Sequence, residues 1–94
     1  MPHYIVLGRL TSQAKRDAAG SMKARDELFA EFRKRGLKIS AYMTLGPYDV
    51  VNVVDAPSEE LMMQFLVAAG KQGNVETTTM PAWTPEESDR FRKS

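Results

Sequence analysis

A chain of 94 residues, 43% hydrophobic and 27% charged, supports one modest core and is not disordered over most of its length. Its net charge of +1 excludes bulk electrostatic capture of nucleic acid or of a membrane surface. It has no cysteine, which removes disulfides, thiolate metal sites and a cysteine nucleophile together, and its apolar runs fall far short of the ~20 residues that cross a bilayer. The opening Met1-Pro2-His3-Tyr4 lacks the basic stretch and apolar core of a signal peptide, so a cytoplasmic location is expected.

His3 to Leu10 is rich in branched and aromatic residues and is bounded by Thr11-Ser12, which predicts a strand. Residues 12 to 35 are dominated by Ala, Lys, Arg and Glu, all good helix formers. Gly20-Ser21 interrupts them, and the expectation is a helix proper that starts there with Ser21 as its N-cap. Met22, Arg25, Leu28, Phe29 and Phe32 then recur at helical spacing. The run Arg33-Lys34-Arg35 followed by Gly36 places cations at the negative end of the helix dipole and a glycine where the chain turns away.

Leu37, Ile39, Ala41, Met43 and Leu45 alternate with Lys38, Ser40, Tyr42 and Thr44, which predicts a strand with a buried face and a polar face. Gly46-Pro47-Tyr48-Asp49 is turn chemistry and reads as a hairpin connection. Val50-Val51-Asn52-Val53-Val54 follows as a central strand. Asp55 to Glu60 is a helix entry, with Pro57 early and Glu59-Glu60 in the first turn, and Leu61, Phe65, Ala68 and Ala69 give an apolar face up to Gly70. After Gly73-Asn74, Val75 to Ala82 is a last strand, and Pro81 marks it as an edge because proline donates nothing to a ladder. Thr84-Pro85-Glu86-Glu87 has capping-box spacing and predicts a short terminal helix that packs over a mostly buried Trp83.

The order βαββαβ predicts a single α+β domain with the ferredoxin-like fold. This is a four-stranded antiparallel sheet with two helices on one face, plus the short C-terminal helix. The two strands placed at its centre are apolar on both parities: Ile5 and Leu7 against Tyr4 and Val6, Val51 and Val53 against Val50 and Val54. Whichever parity meets the helices, aliphatic groups remain on the other side, so a homo-oligomer joined through the open sheet face, a dimer or larger, is expected. Charge is also uneven. Residues 9 to 38 hold nine Lys/Arg against four Asp/Glu, whereas residues 49 to 89 hold one against eight. Two solvated surfaces of opposite sign account for this, and so does charge complementarity between subunits.

These residues resemble the GYD-domain family, whose eponymous glycine, tyrosine and aspartate match Gly46, Tyr48 and Asp49. The likeness extends to Tyr4-Ile5-Val6-Leu7-Gly8, to Thr44-Leu45, to Gly73-Asn74-Val75 with Thr77-Thr78-Thr79, and to Ala82-Trp83-Thr84. The chain departs from the family pattern at Trp83, where phenylalanine is more usual, and at Glu76, where a basic residue is common. The resemblance implies the ferredoxin-like fold and a kinship in shape with dimeric α/β-barrel proteins. It implies no particular activity.

Four side chains are candidates for a site. Tyr48 and Asp49 are lifted to the end of a sheet, where Asp49 is either the acceptor of backbone N–H groups or a carboxylate offered to a ligand. Tyr42 adds a hydroxyl on the neighbouring strand. His3, the only histidine, is a general base or a surface group at the chain start. Together they suit a small polar ligand. A histidine-rich metal site is excluded, no cofactor is implied, and Glu59-Glu60 and Glu86-Glu87 are explained as helix starts. RNA recognition through a βαββαβ sheet needs aromatics on the first and third strands, and the valine-rich third strand has none, so no nucleic acid is expected. The leading expectation is a small-molecule-binding or accessory module acting as a homo-oligomer. The alternatives are an assembly or interaction domain and a cofactor-free enzyme of the dimeric α/β-barrel type, monooxygenase- or isomerase-like.

Overall fold

The computed structural model describes residues 3–93; Met1, Pro2 and Ser94 lie outside the described residues. The elements run β1 (His3–Leu10), α1 (Ser12–Arg16), α2 (Ala18–Lys34), β2 (Lys38–Met43), β3 (Val50–Asp55), α3 (Glu59–Gln72), β4 (Val75–Ala82) and α4 (Pro85–Arg92). The strands form one sheet in the order β2-β3-β1-β4, with every neighbour antiparallel. This is the ferredoxin-like arrangement that the sequence predicts, with β1 and β3 central and β4, which carries Pro81, at an edge.

Register assigns the two faces of the sheet. Val6 lies opposite Asn52 on one side and Thr79 on the other, and Tyr4 opposite Val54 and Pro81, all on the helix side. Ile5 pairs with Val53 and Met80, and Leu7 with Val51 and Thr78, so these residues share the face away from α2 and α3. Val53 keeps 38% of its surface exposed and Met80 42%.

The core sits toward one end of the helix side. Phe65 of α3 meets Phe29 and Phe32 of α2 with ring centroids at 6.0 and 5.3 Å, and the fully buried Val54 and Met62 belong to the same cluster. The first part of the helical layer instead carries small residues toward the sheet, among them Ala14, Ala18 and Ser21. The consequence shows in β2. Leu37 and Ile39 are buried, whereas Ala41 and Met43 on the same parity are exposed and Leu45 lies beyond the strand's end, contrary to an alternating strand with one buried face from Leu37 to Leu45; the core covers only the start of β2.

Capping explains where the helices begin. Asp17, not Ser21, is the N-cap of α2, and its Oδ1 accepts from the Gly20 amide at 3.0 Å. A Cβ on Gly20 would lie 2.2 Å from Asp17 Oδ2, so the glycine that resembles a break is what lets this cap form. Ser58 caps α3 by accepting from the Leu61 amide at 3.1 Å, and Gly73 ends that helix in a left-handed conformation at φ 72°. Thr84 and Glu87 form the expected capping box. Trp83, however, is 57% exposed: α4 has no buried residue and offers the indole only an edge-on contact with Phe91 at 6.1 Å. A capping box sets where a helix starts and says nothing about what it packs against.

Gly8 is required by close packing rather than by its backbone angles. A Cβ there would come within 2.6 Å of Val50 Cγ2 and 2.7 Å of Val75 Cγ2. Gly8→Ala is expected to cost about 1–3 kcal/mol in urea denaturation, and Val50→Ala in the same chain should recover part of that loss. An unchanged midpoint for Gly8→Ala would contradict the packing account.

Candidate functional site

The GYD turn is anchored to the end of β1. β1 and β3 pair as far as Gly8 and Val50, after which the hairpin loop takes over the role of the ladder. The Asp49 amide donates to the Gly8 carbonyl at 2.9 Å, and Asp49 Oδ2 accepts from the Leu10 amide at 2.8 Å. The Asp49 carbonyl closes the hairpin by accepting from the Thr44 amide at 2.9 Å, while Thr44 Oγ1 donates to the Tyr48 carbonyl at 2.6 Å. Arg9 clamps the outside of the turn: its Nε donates to the Pro47 carbonyl at 2.9 Å and its guanidinium lies 4.9 Å from the centre of the Tyr48 ring. Gly46 supplies the positive φ, 120°, that lets the loop reverse.

His3 stands at the opposite end of β1. Five residues of strand separate it from Gly8, roughly 17 Å. Its Nδ1 is hydrogen-bonded to Asp55, its partner across β3, and its Nε2 lies 3.5 Å from Glu87 Oε1 of α4. An imidazolium serves both carboxylates, whereas a neutral ring can donate to only one. A hollow of about 330 Å³ beside it is lined by Tyr4, Glu59 and Trp83 among others. Tyr42 lies opposite Val51, placing it on the face away from the helices. The structure therefore brings Tyr48 and Asp49 together but sets His3 and Tyr42 apart from them. Among the described residues no group of three or more His, Asp or Glu side chains could hold a metal ion.

A larger recess lies elsewhere. A cleft of about 770 Å³ opens on the helix side, between α2 and the half of the sheet that the core leaves uncovered. Val6, Leu10 and Val50 line it from the sheet, and Met22, Leu28 and Phe29 from α2. Asn52 also lines it, in register between Val6 of β1 and Ala41 of β2. Its side chain has no hydrogen-bond partner among the described residues. Sequence reading treats Asn52 only as part of an apolar strand. The available signal was a lone amide at the helix-facing parity of a valine run.

The strand order and helix placement define a ferredoxin-like α+β domain. A designed protein, Ferredog-Diesel, is similar in fold, with TM-score 0.55 and 18% identity, over 85% of this chain and 84% of that one. The structure called FFRP-DM1 is similar with TM-score 0.61 and 22% identity, over 88% of this chain and 100% of that one. The sequence is more specific: the GYD domain matches residues 4–91, and the chain belongs to the GYD-domain family. A relative in Thermus thermophilus, the glutamine synthetase and cystathionine beta-lyase binding protein, is 33% identical over 84 residues, which is 87% of this chain and 88% of that protein.

Two expected outcomes follow from the geometry. Asp49→Ala should lower stability by about 1–3 kcal/mol in chemical denaturation, because it leaves the half-buried Leu10 amide without an acceptor, and Asp49→Asn should keep most of it. Equal stability of Asp49→Ala and the parent chain would contradict the anchoring role. The second outcome concerns acid. The Glu87 carboxyl is held below its ordinary value, chiefly because the Thr84 amide donates to it at 2.8 Å, with His3 contributing in the same direction. A lowered folded-state value means that the cap's contribution is fully present above the ordinary carboxylate range and is lost as pH falls through the lowered value. Trp83 emission should therefore change on acidification in the parent chain and much less in Glu87→Gln. Identical profiles would count against the cap as the acid-sensitive element.

Proposed function

We propose that this chain is an accessory binding domain that works as a homo-oligomer, with copies joined through the sheet face that α2 and α3 leave open. The observation that carries this reading is the shared parity of Ile5, Leu7, Val51 and Val53, with Met80 beside them on β4. Each such side chain gains ~1.5–3 kcal/mol on full burial, and even with part of their surface already screened, covering the set stabilises an assembly by several kcal/mol. Ser40, Tyr42 and Lys38 lie on the same face of the edge strand β2 and suit the polar rim of such an interface. Two copies stacked this way would turn their helices outward, leaving the helix side for other partners.

The related Thermus protein is named for binding two enzymes, glutamine synthetase and cystathionine beta-lyase. The same mode, association with a metabolic enzyme, is the reading for this chain. It is favoured over catalysis because the GYD turn spends the Asp49 carboxylate on Leu10 and the Tyr48 ring on Arg9. A small polar ligand at Tyr48 and Asp49 would have to displace those contacts.

Light scattering at micromolar concentration should give a mass of at least twice 10.5 kDa. Val53→Asp should give the monomer or an unfolded chain, and Tyr42→Glu, at the rim, a folded chain with weakened association. A parent chain that stays monomeric would overturn the oligomer. Absence of association with both purified enzymes in biosensor binding would overturn the partner class.

A further inference from the structure

We propose that the cleft between α2 and the sheet is a binding site for a small amphipathic carboxylate, an acid with an apolar body whose amide-reading group inside the site is Asn52. The inference is independent of the oligomer, because the cleft lies on the helix side of the sheet and the proposed interface on the other.

Size and lining come first. A recess of about 770 Å³ falls within the ~300–1,000 Å³ typical of small-molecule sites, which are apolar with a few placed polar groups. Here the apolar part is Val6, Leu10 and Val50 from the sheet with Leu28, Phe29 and Phe65 from the helices. Its lining from α1 and α2 includes the short side chains of Ala14, Ala18 and Ser21.

Asn52 is the second observation. It is the one polar residue of Val-Val-Asn-Val-Val, it is half-buried at the helix-facing parity, and its amide is unpartnered among the described residues. Among the described residues no buried side-chain polar atom lacks a partner, so the Asn52 amide is open to solvent within the cleft and free to meet a ligand carbonyl, hydroxyl or carboxyl group.

Charge at the rim selects the acid. Lys15, Arg25 and Arg33 line the cleft against a single carboxylate, Asp26. Arg25 is paired with Asp26 at 2.9 Å, and Arg33 donates to the Ile39 carbonyl at 2.8 Å while resting against the Phe29 ring. Lys15 has no partner among the described residues, which leaves its ammonium for an anionic end at the mouth. An apolar body with an anion at one end therefore fits, whereas a cation meets like charge.

Naphthylacetate, with naphthylethanol as its neutral counterpart, tests the site by heteronuclear NMR on the full ¹⁵N-labelled chain. Naphthylacetate should shift the Asn52 side-chain amide and the α2 amides saturably below about 1 mM, and the alcohol should bind several-fold more weakly. Asn52→Leu, which keeps the fold because it places an apolar group on an apolar floor, and Lys15→Glu should each weaken the acid about ten-fold, close to 1.4 kcal/mol. Three results would overturn the proposal: no saturable shifts, shifts confined to the open sheet face, or equal binding of acid and alcohol by parent and variants. Shifts of the same cleft amides with protein concentration alone, without probe, would assign the cleft to a second copy and overturn it as well.

Discussion

A four-stranded sheet has two faces, and this chain supplies long helices for only one of them. The helices are also held at one end of that face, because the ring cluster of Phe29, Phe32 and Phe65 seats α2 and α3 over Val54 and Ile39. From this placement follow the bare aliphatic face on one side of the sheet and the cleft beside the core on the other. Gly8 takes part in the second, since its missing side chain lets Val50 and Val75 approach across β1 on the helix side.

The turn that names the family belongs to the same economy. Where β3 has ended and β1 continues, the Leu10 amide has no strand to pair with, and the Asp49 carboxylate replaces it. Arg9 then ties Pro47 and Tyr48 to the strand it extends. The loop thus becomes a continuation of the ladder made from side chains, and the hairpin is held by β1 as well as by its own strands. Asp49 and Tyr48 thus already hold contacts within the chain.

Local chemistry was legible in the sequence. Branched and aromatic content with flanking turn residues located β1 and β4 to the residue, Pro81 marked the edge, and Thr84 with Glu87 announced its capping box. Features that depend on a distant partner were not legible. Asp49 acts on an amide thirty-nine residues away in the chain, so its role as acceptor could be considered but its partner could not be named. Gly20 looks like a helix break until Asp17 is seen folding over it. Trp83 has the composition of a buried residue and stays exposed because α4 has no apolar face to lay on the core. The cleft was hidden for a related reason: periodicity reports which side of a helix is apolar, not whether its side chains are long enough to meet the sheet.

The central claim is that the face bearing Ile5, Leu7, Val51 and Val53 is covered by another copy of the chain. The absence of cysteine allows a direct test by reporter thiols, one at Val53→Cys on that face and one at Val67→Cys on an exposed position of α3. The rate of thiol labelling should fall at position 53 as protein concentration rises, while position 67 stays reactive throughout. Equal, concentration-independent labelling at both positions would contradict the account.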